Sequence, residues 1–191
     1  VRLVIDRAGC VGQDGETHQG FYDIAFMAAL PNIQILSARN AEELVKMLVF
    51  ANNYNSGPLA IRFPKKEFPL FDIAKVINKV KREKYNPFRA EILASGKDVA
   101  ILSEGVFAVK ALEARKYLSQ TKCSALVMDV KSLKPLAVNQ ILNAIRGKKL
   151  VVTLENHGLI GGLGALVARV LAERGIQTKH LALGFPDTVV G

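Results

Sequence analysis

The chain has 191 residues, half of them hydrophobic, which is enough for one large domain or two small domains with a packed core. Its formal net charge is +9, but the Lys and Arg residues are scattered without a nucleic-acid-binding motif, so no nucleic-acid partner is expected. No apolar run approaches the roughly 20 residues of a membrane helix, and no basic-then-apolar leader is visible, which predicts a cytoplasmic protein with no membrane partner.

The two cysteines do not indicate a disulfide framework or a metal site. Cys10 and Cys123 are far apart in the sequence and lack the spacing of metal ligands. We therefore expect two ordinary reduced thiols, as a reducing compartment permits.

The first third of the chain alternates strand-like and helix-like segments. The pattern predicts a buried strand at residues 3–5, a helix at 21–29 and a strand at 33–36. A helical period follows at residues 41–54, and a second buried strand is predicted at 59–63. Strand, crossover helix and strand in this order are typical of a parallel sheet.

A different composition separates this region from a second alternating block. Residues 67–96 lack clean alternation and are predicted to form a linker with a partly helical segment. Beyond them, strands are expected at 99–102, 126–129, 150–154 and 180–183, and helices at 107–118, 138–145 and 163–174. We predict an α/β fold with two parallel-sheet βαβ domains, residues 1–66 and 97–191, joined by the linker 67–96.

The loop after the first predicted strand is the strongest functional signal. Residues 6–20 contain four glycines together with Arg7, Asp14 and His18. Glycine lets a backbone approach a ligand closely, a guanidinium group binds phosphate well, and an imidazole exchanges protons near neutral pH. A tight turn with a surface histidine is the alternative, and the residue types alone do not decide between the two.

The sequence of this loop resembles that of the active-site loop in the 1-deoxy-D-xylulose-5-phosphate synthase family, within the transketolase superfamily. The shared motifs are Asp-Arg-Ala-Gly at 6–9, Asp-Gly at 14–15 and Thr-His-Gln-Gly at 17–20. Arg-Phe-Pro at 62–64 is similar to the family's Arg-Tyr-Pro-Arg-Gly, with Lys65-Lys66 in place of the last two residues, a departure whose effect is open. Weaker similarity covers Glu-Asn at 155–156, Gly-Gly-Leu-Gly at 161–164 and Gly-Phe-Pro-Asp at 184–187.

The resemblance implies a transferase and a set of site residues. The family condenses pyruvate with D-glyceraldehyde 3-phosphate to 1-deoxy-D-xylulose 5-phosphate and CO2, a precursor of isoprenoids, thiamine and pyridoxal. It implies that His18 acts at the substrate carbonyl, that Asp14 binds substrate hydroxyls, and that Arg7 and Arg62 hold the phosphate. Both arginines lie at the ends of strands of one predicted parallel sheet, whose C-terminal edge is the usual place for a ligand. Each could instead form a structural ion pair.

The resemblance also implies what lies outside this chain. It makes residues 1–66 the C-terminal half of a pyrimidine-binding domain and residues 97–191 a transketolase C-terminal domain. The family binds thiamine diphosphate and Mg²⁺ mainly upstream of the segment that matches Val1, and the cofactor-activating Glu lies there too. We therefore expect no cofactor or metal ligand in this chain, no activity of the chain alone, and a homodimer for the complete enzyme.

Two alternatives stay open at this stage. The chain could be half of a transketolase that transfers two-carbon ketol units, or a non-catalytic module that supports dimerisation. The glycines at 161–164, after a predicted strand and near His157, give a weak dinucleotide signal. We expect them to allow close helix packing at a domain or subunit interface, and the role of His157 is open.

Overall fold

A computed structural model describes residues 1–12, 14–82 and 84–188. A 3-10 turn at Glu16–His18 lies in the loop after the first strand. In chain order the other elements are β1 (Arg2–Ile5), α1 (Asp23–Ala28), β2 (Gln34–Ser37), α2 (Ala41–Asn53), β3 (Leu59–Arg62), α3 (Ile73–Arg82), β4 (Glu91–Ala94), β5 (Val99–Ser103), α4 (Phe107–Gln120), β6 (Ala125–Asp129), β7 (Ser132–Lys134), α5 (Val138–Ile145), β8 (Leu150–Gly158), α6 (Leu163–Glu173) and β9 (Lys179–Phe185). The predicted α/β fold with two βαβ units is confirmed.

The first sheet has the strand order β1-β3-β2-β7. Its first three strands are parallel, and Ile5 of β1 and Ser37 of β2 both pair with Arg62 of β3, so the three strands end together. The prediction that the first strand is buried is wrong, since Leu3 is 39% and Val4 is 56% exposed. The reason is that β1 is an edge strand of this sheet.

The second sheet has the strand order β4-β6-β5-β8-β9. Strands β6, β5, β8 and β9 are parallel, and Ser103 at the end of β5 pairs with Leu154 of β8. Strand β8 is longer than the predicted 150–154 and continues to Gly158. The extension carries Glu155, Asn156 and His157 beyond the end of β5.

The segment expected to be a linker contains two ordered elements. Helix α3 is the partly helical part, and β4 pairs antiparallel with β6 of the second sheet. A second unexpected strand, β7, belongs to the C-terminal half of the chain but pairs antiparallel with β2 of the first sheet. Sequence periodicity missed both strands because each forms by pairing with a strand that is distant in the sequence. The domain boundaries at 66 and 97 stay a prediction.

A shared hydrophobic core joins the two sheets. Ile24 and Ile35 from the first half pack in one buried cluster with Leu102, Met128 and Val167 from the second half. Two smaller clusters lie under α2 and under α4, on the outer faces of the sheets. The C-terminal edges of both sheets are therefore held at a fixed distance from one another. Among the helices of the described residues, none has the length and hydrophobicity to cross a membrane.

Candidate active-site loop at the strand ends

The loop begins where the backbone leaves β1, next to the end of β3. Arg7 lies two residues after β1, and Lys65 lies three residues after β3. Because β1 and β3 are paired parallel neighbours, both side chains start from the C-terminal edge of one sheet. That edge is where open α/β sheets commonly bind ligands.

Asp14 brings two cations together at this edge. Arg7 Nε donates to Asp14 Oδ2 at 2.8 Å, and Lys65 Nζ donates to Asp14 Oδ1 at 2.6 Å. The hydrogen bond from Lys65, followed by that from Arg7, lowers the pKa of Asp14 to about 2, so this carboxylate is ionised at neutral pH. The hydrogen bond to Asp14 and the charge of Asp6 raise the pKa of Arg7.

Arg7 adopts a backbone conformation that is unusual for its residue type. Its φ is +56°, in the left-handed region where most side chains are strained. Gly9, two residues on, has φ +77°. The turn aims the Arg7 side chain across the loop toward Asp14, while Arg7 Nη1 also contacts Asp6 at 2.6 Å. Strained non-glycine residues of this kind concentrate at ligand-binding sites.

His18 ends the short 3-10 turn of the same loop and is exposed. Its Nδ1 lies 3.0 Å from the Oγ1 atom of Thr17. The imidazole is therefore open to solvent on the loop that also carries Arg7 and Asp14.

Arg62 occupies a different environment from Arg7. Its side chain is 1% exposed, and its Nε and Nη2 atoms donate to the two carboxylate oxygens of Asp23 at 2.9 and 3.1 Å. Its Nη1 donates to Glu104 Oε2 at 2.8 Å, and Nη2 also reaches the carbonyl oxygens of Asn156 and Gly20 at 3.2 and 3.4 Å. Within the described residues, these contacts are those of a structural ion pair. The phosphate contact of Arg62 stays a prediction.

The buried network around Arg62 connects the two halves of the chain. Glu104 follows β5, is fully buried, and accepts from the Asn156 backbone N–H at 2.9 Å and from the Ser37 hydroxyl. Burial opposes ionisation of both partners, but their mutual attraction lowers the pKa of Glu104 and raises that of Arg62. The pair is therefore ionised, with every carboxylate oxygen bonded to a donor.

The glycines at 161–164 pack against a carboxylate of their own chain. Glu155 Oε2 and Oε1 accept from the backbone N–H groups of Leu163 and Gly164 at 2.5 and 2.9 Å. A Cβ atom on Gly162 would lie 1.9 Å from Glu155 Oε2, so glycine is needed for this approach. The start of α6 is thus filled from within, as the close-packing interpretation expects, and does not fit a diphosphate group.

His157 is buried beside this turn. Its Nδ1 donates to the Gly158 carbonyl oxygen at 2.7 Å, and its Nε2 has no hydrogen-bond partner among the described residues. Burial lowers the pKa of His157, which keeps the imidazole neutral. Across residues 1–12, 14–82 and 84–188, no three His, Cys, Asp or Glu side chains are grouped so that they could hold a metal ion.

Comparison with known families assigns the class of protein. The model of the transketolase pyrimidine-binding domain matches residues 1–69, and that of the transketolase C-terminal domain matches residues 89–191. Since the second match alone covers more than half of the chain, the chain belongs to the transketolase family.

The chain is also similar to individual proteins within this family. The chain is 40% identical over 190 residues to a 1-deoxy-D-xylulose-5-phosphate synthase of Halothermothrix orenii, and 34% identical over 190 residues to that of Caldanaerobacter subterraneus. The matches cover 98% and 100% of this chain, which spans 29% of the length of each of these relatives.

Solved structures agree with the fold. The structure of a split gene transketolase, described as an inactive beta4 tetramer, superimposes with a TM-score of 0.84 at 33% identity, covering 100% of this chain and 58% of that one. A transketolase mutant of Pichia stipitis has a TM-score of 0.64 at 18% identity over 94% of this chain and 25% of its own, and supports the fold alone.

The structure thus unites part of the predicted site and adds one residue to it. Arg7 and Asp14 are in contact, His18 lies on the same loop, and Arg62 lies below in the core. Lys65 was not predicted as a site residue. Its place in the motif, where the family has its second Arg, was the signal that could have identified it.

Proposed function

We propose that this chain supplies the substrate loop of a thiamine-diphosphate-dependent synthase. The reaction is condensation of pyruvate with D-glyceraldehyde 3-phosphate to 1-deoxy-D-xylulose 5-phosphate and CO2. The relatives that carry this name support it, and so does the pair of cations that converges at the C-terminal edge of β1 and β3.

In this proposal the phosphate of the aldehyde binds between Arg7 and Lys65. Without a ligand, both cations pair with Asp14, and each keeps exposed surface: 37% of the Arg7 side chain and 50% of the Lys65 side chain. A phosphate group accepts charge-assisted hydrogen bonds from guanidinium and ammonium groups, with Arg able to donate two in parallel. Asp14 then becomes free to accept from a substrate hydroxyl.

His18 takes the proton-transfer role. An exposed imidazole on the same loop can hold a proton at the carbonyl oxygen of the aldehyde while that oxygen becomes an alkoxide. These roles for His18, Arg7 and Asp14 are proposals drawn from the resemblance and the loop geometry.

The cofactor belongs to the part of the relatives that this chain does not span. We propose that this part of the enzyme holds most of the ligands of thiamine diphosphate and Mg²⁺. We also propose that the chain alone is inactive and that the complete enzyme is a homodimer. The exposed aromatic side chains of Tyr22 and Phe26 near α1 would suit such an interface.

A chimera tests the proposal. The segment of the Halothermothrix orenii synthase that matches this chain is replaced by the chain itself, and product formation from pyruvate and glyceraldehyde 3-phosphate is measured. Arg7→Ala and Lys65→Ala should each raise KM for the aldehyde about tenfold or more, the worth of one charge-assisted hydrogen bond, and His18→Ala should lower kcat. Lys66→Ala, an exposed neighbour, is the matched control. A folded chimera without activity, or equal KM values in all three lysine and arginine variants, would contradict the proposal.

A second candidate is a transketolase half-chain. It is favoured by the split gene transketolase, which covers the whole chain at 33% identity. The same chimera, and a mixture of the chain with the separate remainder of that transketolase, are assayed with xylulose 5-phosphate as donor and a five-carbon aldose phosphate as acceptor, in place of pyruvate and glyceraldehyde 3-phosphate. Transfer then yields a seven-carbon ketose phosphate and releases glyceraldehyde 3-phosphate, both of which can be measured. Two-carbon transfer without pyruvate consumption would favour this candidate over the synthase. If restoring the missing part gives no thiamine-diphosphate dependence in either assay, the chain is a non-catalytic dimerisation module.

A further inference from the structure

We infer that Asn156 is a positioning residue that holds the active-site loop from the opposite half of the chain. The carboxamide lies at the C-terminal end of β8, and it bonds to the loop on both sides of Gly9. Its Oδ1 accepts from the Cys10 backbone N–H at 3.3 Å, and its Nδ2 donates to the Ala8 carbonyl oxygen at 3.2 Å. The side chain thus takes the place of a neighbouring strand for this short stretch of backbone.

The contact is too close to be incidental. A Cβ atom added to Gly9 would lie 1.9 Å from Asn156 Nδ2, which is inside the carboxamide group. The positive φ of Gly9 also favours glycine. Two independent features, the backbone conformation and the space, therefore require glycine where the loop meets Asn156.

Asn156 is itself fixed by the buried charges. Its backbone N–H donates to Glu104 at 2.9 Å, and its carbonyl oxygen accepts from Arg62 at 3.2 Å. Arg62 also reaches the carbonyl oxygen of Gly20, the last residue of the loop, at 3.4 Å. Gly9 and Gly20 exchange two backbone hydrogen bonds of 2.8 Å, which close the loop at its base.

The two arginines therefore have different positions and different roles. Arg7 lies on the loop and faces solvent, whereas Arg62 lies beneath it and fixes both Asn156 and the base of the loop. Arg7 directly precedes the Ala8–Cys10 backbone that Asn156 binds. Its unusual φ of +56° can persist only if the surrounding structure holds it, and the carboxamide supplies part of that restraint.

Hydrogen exchange in the chain itself tests this inference without any need for activity. In Asn156→Ala, the Cys10 amide should exchange about tenfold faster, because it loses its hydrogen-bond acceptor. The amides of β5 in the core should keep their rates. Asn53→Ala, at the exposed end of α2, is the matched control and should change neither.

A double-mutant cycle tests the contact between Gly9 and Asn156 directly. Gly9→Ala should destabilise the chain less in the Asn156→Ala background than in the wild type, because the clash is removed and only the backbone strain is left. Additive effects of the two substitutions would overturn the inference. So would an unchanged Cys10 exchange rate, or equal acceleration of Cys10 and β5, which would make Asn156 a general stabiliser only.

The kinetic readout rests on the proposed function and is kept separate. In the active chimera, Asn156→Ala should raise KM for glyceraldehyde 3-phosphate more than it lowers kcat, because it displaces Arg7 without removing it. If kcat falls by the same factor as KM rises, the result would count against a positioning role of Asn156. If the chimera is inactive, the proposed function fails, while the exchange experiment and the double-mutant cycle still decide the role of Asn156.

Discussion

Replacing Arg62 by methionine removes the central charge between the two halves of the chain. Methionine has a similar length and no charge, so the substitution isolates the ion pair from the packing. It leaves Glu104 fully buried and Asp23 7% exposed, each without its cation. In the proposed division of roles, Arg62 stabilises the fold and positions the loop and does not itself bind phosphate.

The expected cost is large because both carboxylates lose their compensating charge. Removing one partner of a buried ion pair costs about 3–5 kcal/mol. For a chain of this size, that corresponds to a decrease in Tm of roughly 6–20 °C. Domains commonly have about 5–15 kcal/mol of stability in total, so the variant should fold but unfold readily.

The loss should depend on pH in a defined direction. In the wild type the pKa of Glu104 is lowered, so its ionised form contributes stability above its unfolded pKa, and that contribution is lost as pH falls. Without Arg62, burial raises the pKa of Glu104 instead, and protonation then relieves the unpaired charge. Arg62→Met should therefore cost most at neutral pH and less near pH 5.

Urea denaturation at both pH values measures the effect. Arg62→Met combined with Glu104→Gln should recover part of the lost free energy, since one of the unpaired charges is gone. Arg62→Lys is the charge-conserving control and should lose less than Arg62→Met. A cost below about 1 kcal/mol at neutral pH, the range of an exposed ion pair, would refute the reasoning, and so would a cost that does not change with pH.

Two further substitutions test the loop and the start of α6. Lys65→Met should raise the pKa of Asp14 from about 2 toward its ordinary value, because the Lys65 hydrogen bond is the main cause of the lowering. An NMR titration of the Asp14 carboxyl group measures this pKa. A similar rise in Lys66→Met would contradict the conclusion that Lys65 lowers the pKa of Asp14. Gly162→Ala should cost about 1–3 kcal/mol of folding free energy, because the added methyl group overpacks against the Glu155 carboxylate at the start of α6. Gly12→Ala, whose Cβ would meet open space, is the control and should change the stability by no more than about 0.5 kcal/mol. Thermal unfolding compares the two variants, and equal Tm values would show that the close approach of Gly162 to Glu155 is not needed.

Most regular elements followed from periodicity in the sequence. The helix predicted at residues 138–145 coincides with α5, and the strand predicted at 59–63 differs from β3 by one residue. These segments have strong local patterns, so the sequence alone is informative about them. The short strands β4 and β7 each form because a neighbouring strand offers a free edge, and that information lies elsewhere in the chain.

The site was predictable to the extent that it is local in sequence. Arg7, Asp14 and His18 lie within twelve residues of one another, and a motif could identify them together. The roles of Lys65 and Asn156 depend on contacts across 51 and 146 residues of sequence. The motif could have identified Lys65, but no periodicity or spacing rule predicts its contact with Asp14 across β1 and β3. The contact of Asn156 with the loop depends on how the two sheets meet.

The contrast between Arg7 and Arg62 shows what decides the role of an arginine at a strand end. Arg62 is the last residue of β3 and Arg7 lies two residues after the neighbouring parallel strand β1, and their side chains have the same hydrogen-bonding groups. Arg62 is enclosed by two carboxylates and two carbonyl oxygens, so an incoming phosphate would have to displace buried anions at a large desolvation cost. Arg7 contacts Asp6 and Asp14 with much of its side chain in water, where a phosphate can compete for it. Burial of the partner carboxylates, which a motif does not reveal, therefore distinguishes Arg7, which we propose exchanges its partner for a phosphate, from Arg62, which we propose keeps its partners.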